Sequence, residues 1–216
     1  MYHKADNSET KYIHDFCTSG KMYFLSRPRR FGKSLLLSTL QELFLGRKDL
    51  FEGLWIENNW DWSAKHPVIH LSFTSVDYER AGLEEGITQA LLEIYKEYDF
   101  VASSKSNIKA LFKDLIKQIY DKHGPVVILI DEYDKPILDY MEFHKIPEAK
   151  ANQEILGLFY GALKDADPYI RLLFITGISK FTKVSLFSKL NNLKDLTMHP
   201  HYAMMLGYIL WIYKSF

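Results

Sequence analysis

Cysteine is nearly absent from this chain. Cys17 stands alone among 216 residues, which excludes an internal disulfide and a zinc site built on several cysteines, and fits a reducing cytosol. Neither sign of charge prevails. Twenty-seven Lys and Arg balance 27 Asp and Glu, so overall charge gives no pull toward nucleic acid or an anionic membrane, and a basic site has to be local. No apolar run reaches the ~20 residues of a bilayer span, and the longest nearly apolar stretch, Tyr202–Tyr213, is shorter. Residues 1–20 are polar and mixed in charge, unlike a signal peptide. Repeats, low-complexity tracts and a clear interdomain linker are missing too. The expectation is a cytoplasmic globular protein without a membrane partner.

What is present fills a core: 47% of the residues are hydrophobic and 15% aromatic, well above the composition of a disordered chain. The expected organisation is an N-terminal segment over 1–20, one domain over 21–200 and a tail over 201–216. Tyr12, Ile13 and Phe16 predict a short helix lying on the domain. Met22–Leu25 is an apolar run, and Leu36, Leu37, Leu40, Leu43 and Phe44 recur at helical spacing, with Gly46 as C-cap. Three of the four tryptophans fall between Trp55 and His66, a turn-rich stretch that predicts a satellite core. Pro67–Phe73 reads as a strand.

Two amphipathic helices follow, one striped by Leu83, Ile87, Leu91, Ile94 and Tyr98, the other by Ile108, Leu111, Phe112, Leu115, Ile116 and Ile119. Asn107 is the predicted N-cap of the second and Gly124 its C-cap. Pro125–Ile130 is the most apolar strand, and its unbroken run predicts a central parallel strand covered on both faces. A helix marked by Ile155, Leu158, Phe159, Ala162 and Leu163 leads to a strand over Tyr169–Thr176. Strands alternating with helices give an α/β fold with a parallel sheet and right-handed crossovers.

Arg27-Pro28-Arg29-Arg30-Phe31-Gly32-Lys33-Ser34 connects the first strand to the first long helix. A helix start offers amides without intrahelical partners and the positive end of the macrodipole, which together attract phosphate. In a Gly-Lys-Ser loop of this kind Gly32 leaves room for phosphate, Lys33 reaches the β- and γ-phosphates and Ser34 offers a hydroxyl to Mg²⁺. The usual pattern starts with glycine, and here Arg27 stands in that place. A basic turn at a helix start is the competing reading. The acidic pair Asp131-Glu132 ends the central strand, and Thr176 with Ser179 ends the later one. Ligands of open parallel sheets bind at such carboxyl ends. Phosphoryl transfer needs a phosphate cradle, a carboxylate for the metal and a group that orients water. Asp131 suits the metal, Glu132 the water, and Thr176 or Ser179 the water or γ-phosphate.

Four blocks resemble the bacterial AAA-ATPase-like family: Tyr23–Ser34, Leu129–Pro136, Phe174–Phe181 and Leu190–Met198. The similarity runs from about Lys11 to about Gly207. It implies a three-layer P-loop fold with strand order 5-1-4-3-2, and makes Arg27 normal at its position. It also implies ATP and Mg²⁺ as cofactors. Lys33 and Ser34 would carry the phosphate and Mg²⁺ roles, Asp131 and Glu132 the acidic pair and Thr176 a polar sensor, with Arg29, Arg30, Phe31, Gly32, Lys33, Ser34 and Leu35 binding the nucleotide. Family members usually begin earlier and continue further, often into a PD-(D/E)XK nuclease-like domain. The apolar stretch at 207–213 therefore reads as a truncated tail, and an unpartnered apolar segment predicts self-association.

No arginine follows Arg171, which stands at the wrong end of its strand, so a finger after that strand has to come from Lys180, Lys183 or another chain. His199 and His201 read as exposed histidines rather than metal ligands. The expected activity is Mg²⁺-dependent ATP binding with slow hydrolysis. The alternatives are a nucleotide-dependent binding module without turnover and an inactive fragment. Nucleic acid contact by Arg29 and Arg30 is a weaker reading, because no recognition helix accompanies them.

Overall fold

The computed structural model describes residues 9–103, 107–180, 187, 190, 192–202 and 205–206. Five parallel strands make the sheet: β1 (Met22–Ser26), β2 (Val68–Ser72), β3 (Val126–Asp131), β4 (Ile170–Gly177) and β5 (Lys194–Asp195). Their order is β2-β3-β4-β1-β5, which read from the other edge is 5-1-4-3-2. The continuous apolar runs of β1, β3 and β4 hold the three inner positions, because a strand between two helix layers has no wet face. The alternating burial of β2 fits its place at an edge.

Side chains alternate across the pleat and divide the core in two. Met22 and Phe24 of β1 and Ile128 and Ile130 of β3 join α4 (Leu83–Glu97), α5 (Ile108–His123) and α7 (Ile146–Asp165) on one side. Tyr23, Leu25, Val127 and Leu129 join α1 (Glu9–Ser19) and α2 (Lys33–Phe44) on the other. Trp55, Trp60 and Trp62 pack against this second half around a short 3-10 turn, Trp55–Asn58, as the turn-rich tryptophan stretch predicts. Phe112 of α5 stacks on Phe159 of α7 with ring centres 4.6 Å apart.

Helix ends follow local chemistry. Asn107 accepts a hydrogen bond from Ala110 N at 2.8 Å, and Gly124 N closes α5 on Tyr120 O. The stripe beginning at Ile155 marks only the second half of α7, which starts nine residues earlier. Its first turns carry Pro147 and a mostly polar surface, so periodicity does not announce them. The short helices α3 (Tyr78–Ala81) and α6 (Lys135–Leu138) and the two-residue β5 likewise carry no period. Arg171 drops out of the β3–β4 register, which passes from Ile170 to Leu172. Its guanidinium donates to Cys17 O at 3.2 Å, at the amino end of the sheet. Residues 207–216 and Lys183, which carry the expectations about the tail and one cation, lie outside the described residues. Among the described residues no helix is long and apolar enough to cross a membrane.

Candidate functional site

The carboxyl ends of four strands lie level, with Ser72 opposite Asp131 and Ser26 opposite Gly177. Chain segments leaving these ends converge there. The loop after β1 rises from Arg27, whose amide donates to Gly177 O at 3.1 Å, and turns into α2 at Gly32. Gly32 has φ +77°, a left-handed conformation that an L side chain rarely adopts. Arg30 is also left-handed, at φ +66°, without being glycine. Non-glycine backbone of this kind costs about 1–3 kcal/mol and persists only where surroundings impose it.

The first intrahelical bond of α2 runs from Leu36 N to Gly32 O, so the amides of Lys33, Ser34 and Leu35 precede the hydrogen-bond ladder. No side chain caps this helix and no acidic residue lies in its first turn. Its positive end is therefore unneutralised by its own sequence. Leu35 projects outward, 71% exposed. Arg29 and Arg30 are exposed on the loop, and Phe31 is half-buried.

Lys33 is only 6% exposed. Its ammonium donates to Arg27 O at 2.9 Å and Pro28 O at 3.0 Å, which holds it against the loop. Burial lowers its pKa; the carboxylates of Asp131, Glu132 and Asp134 oppose that shift and Arg29 adds to it. Asp131, at the end of β3, links β4 to the first turn of α2. Its Oδ2 accepts from Ser34 Oγ at 2.5 Å, and its Oδ1 accepts from Thr176 Oγ1 at 2.5 Å and from Glu132 N at 2.9 Å. Glu132 sits at φ +51°, a second strained non-glycine residue. The structure thus brings Lys33, Ser34, Asp131, Glu132 and Thr176 to one place.

The oxygen pair of Ser34 and Asp131 fits Mg²⁺. That ion takes one or two protein oxygens and leaves the rest of its octahedron to water and phosphate. Among the described residues no group of three or more His, Cys, Asp or Glu is disposed to hold a metal alone. A site relying on phosphate oxygens is the arrangement these donors allow.

Residues 8–187 match the model of the AAA-ATPase-like family, described as a predicted AAA-ATPase. The chain belongs to the AAA-ATPase-like family. It is also 43% identical over 201 residues to an uncharacterized protein in the vnfD 5′ region of Azotobacter chroococcum mcd 1. That match covers 93% of this chain and 39% of the relative, so the chain spans about two fifths of the relative's length. No solved structure matches it.

In this AAA-ATPase-like domain, sequence reasoning assigned no role to Thr74, Ser26 or Thr197, which support the site, and foresaw none of the bonds that Arg27 and Ser179 make. Thr74, two residues past β2, donates from Oγ1 to Glu132 Oε2 at 2.7 Å. Ser26 donates from its hydroxyl to Ile178 O at 2.8 Å, and its amide donates to Thr197 Oγ1 at 3.0 Å. Arg27, in the first-glycine position, donates to Thr197 O and so ties the loop to the chain after β5. Ser179 serves through its backbone: its amide donates to Asp134 at 2.6 Å and its carbonyl accepts from Tyr133 Oη. Position at a strand end was the available signal for Thr74 and Ser26, and it is a weak one. His70 faces the same region from β2, with Nδ1 2.7 Å from Gln41 Oε1 and its buried Nε2 without a partner. Burial lowers its pKa and the Asp131 charge opposes the shift.

Proposed function

We propose that this domain is a P-loop nucleotide site that binds ATP with Mg²⁺ and hydrolyses it slowly. The observation that carries the reading is the joint placement of Ser34, Asp131 and Thr176. One carboxylate from β3 receives hydroxyls from the phosphate-loop helix and from β4, beside an uncapped helix start. The amides at the start of α2, with Lys33, would cradle the phosphates. Ser34 and Asp131 would hold Mg²⁺, which would supply positive charge to offset that of the phosphates.

Hydrolysis transfers the γ-phosphoryl group to water: a P–O bond to water forms as the bond to the β-phosphate oxygen breaks, giving ADP and inorganic phosphate. Glu132 suits orientation of that water. Its carboxylate is held by Thr74, and its backbone is fixed at an unusual φ next to Asp131. Lys33 suits stabilisation of charge on the phosphates, in both ground state and transition state.

The test is titration of a fluorescent ATP analogue with and without Mg²⁺. Binding that tightens with Mg²⁺ is expected. Lys33→Ala should weaken binding in both conditions, and Asp131→Asn should abolish the Mg²⁺-dependent gain. A parent that binds no nucleotide overturns the reading. A second reading, a binding module without turnover, draws on Arg171. The last arginine of the chain is committed to Cys17 O at the far end of the sheet. Single-turnover hydrolysis by the parent separates the two.

A further inference from the structure

Asp134 is a carboxylate with no solvent exposure. Among the described residues no Lys, Arg or His forms an ion pair with it. Its partners are backbone amides of the turn after β4: Ile178 N at 3.1 Å and Ser179 N at 2.6 Å. The Lys33 charge also favours the carboxylate without pairing with it. Burying a carboxylate with amides as its hydrogen-bond partners is a costly way to hold a turn that apolar packing would hold more cheaply. The turn is also gripped by the neighbouring residue. Tyr133 N donates to Thr176 O at 3.0 Å and Tyr133 Oη to Ser179 O at 2.7 Å. Gly177 makes this possible, because a Cβ there would lie 2.3 Å from the Tyr133 ring and 2.7 Å from Asp134 Oδ1.

The gripped turn connects in two directions. Thr176 immediately precedes it and hydrogen-bonds Asp131. Ile178 O and Gly177 O receive Ser26 Oγ and Arg27 N, at the root of the phosphate loop. One buried carboxylate therefore fixes a turn on which both the acidic strand end and the phosphate loop lean.

We infer that Asp134 is a positioning residue for the nucleotide site, holding the β4 turn so that Thr176 stays bonded to Asp131 and the loop stays anchored through Ser26. This rests on the nucleotide reading above. Asp134 touches neither phosphate nor metal in this scheme and acts through the turn.

The experiment measures ATP affinity with and without Mg²⁺, single-turnover hydrolysis and thermal unfolding for the parent, Asp134→Asn and Ser26→Ala. Asparagine keeps the shape but faces the amide donors with a poorer acceptor. Folded Asp134→Asn should lose a factor of about 5–100 of the Mg²⁺-dependent gain in affinity, the range of one disrupted buried bond. Its Mg²⁺-free affinity should fall by a smaller factor, because Thr176 adjoins the turn and bonds Asp131 directly, whereas the α2 amides lean on the turn only through Ser26 and Arg27. A merely structural role would weaken both affinities together or neither. A folded Asp134→Asn with the parental Mg²⁺ gain overturns the inference and leaves the nucleotide reading standing. Should Asp134→Asn fail to fold, Ser26→Ala decides. It breaks the link to the loop without stranding a charge, and a parental Mg²⁺ gain there overturns the inference as well. A parent that binds no ATP fails the nucleotide reading, and the inference with it.

Discussion

In the layer formed by α4, α5 and α7, every buried side chain is apolar or aromatic. At the carboxyl edge of the sheet the pattern inverts. Seven polar or charged residues are buried among those described, and six of them gather there: Ser26, Lys33, Asp131, Asp134, Thr176 and Thr197. The edge also holds both strained non-glycine residues that flank the site, Arg30 and Glu132. A helix layer can be assembled from periodicity, because each apolar residue is satisfied by any well-packed neighbour. The edge cannot. Each buried polar atom needs one particular partner, and a missing partner costs more than a lost contact. Buried, partnered polar groups concentrated at one edge are what a functional site would need, although Asp99 is left-handed elsewhere and Tyr160 Oη is buried without a partner in the helix layer.

If that contrast is correct, the largest loss of stability comes from the helix layer and leaves nucleotide chemistry alone. Phe112 is fully buried and stacked on Phe159. Phe112→Ala should lower unfolding free energy by about 3–5 kcal/mol, read from urea denaturation, while the folded protein binds ATP as the parent does. A variant whose ATP affinity falls with its stability would show that the two regions are one unit.

The converse change is Glu132→Gln, which removes a charge at the edge and keeps its shape. Interactions made only in the transition state change kcat and spare ground-state binding. Single-turnover hydrolysis should drop by a factor on the order of 10² or more, with ATP affinity retained and the urea midpoint little changed. Parental turnover by this variant would remove Glu132 from the chemistry.

The same contrast explains what could be read in the sequence. The parallel sheet, the caps at Asn107 and Gly124 and the helix stripes of α4 and α5 were legible because each follows from a short window. The start of α7 was not, since Pro147 and its polar neighbours hide it, and β5 was not, since Lys194–Asp195 has no apolar period. At the edge, Lys33 and Ser34 were legible as residue types at a helix start, and Asp131, Glu132 and Thr176 as residue types at or just past strand ends. Their partners were not. Thr74 lies 58 residues before Glu132, Ser26 lies 152 before Ile178, and Asp134 holds a turn 45 residues on. No window contains such pairs, and only the topology brings them together.

Gly177→Ala should blur the boundary. An alanine Cβ would press on the Tyr133 ring, which packs against Phe24 and Phe187 in the core, and on Asp134 at the edge. Overpacking costs about 1–3 kcal/mol, and the displaced turn should reduce hydrolysis at the same time. A stability loss without any change in turnover would mean that the β4 turn does not bear on the site.

The smallest effect gives the sharpest control. Asn107 caps α5 through one hydrogen bond to Ala110 N, and Asn107 is itself exposed. Alanine there leaves an amide without its side-chain acceptor, but water can replace part of that bond. The expected loss is about 1 kcal/mol, seen as a lowered urea midpoint with an unchanged slope, since the surface exposed on unfolding stays the same. α5 covers the sheet, and the hydrogen bond at its cap stays within the first turn of the helix. ATP affinity, its Mg²⁺ dependence and single-turnover hydrolysis should therefore match the parent. If so mild a change at the helix layer altered any of them, stability and site would share one cooperative unit, and the separation drawn between the two regions would fail.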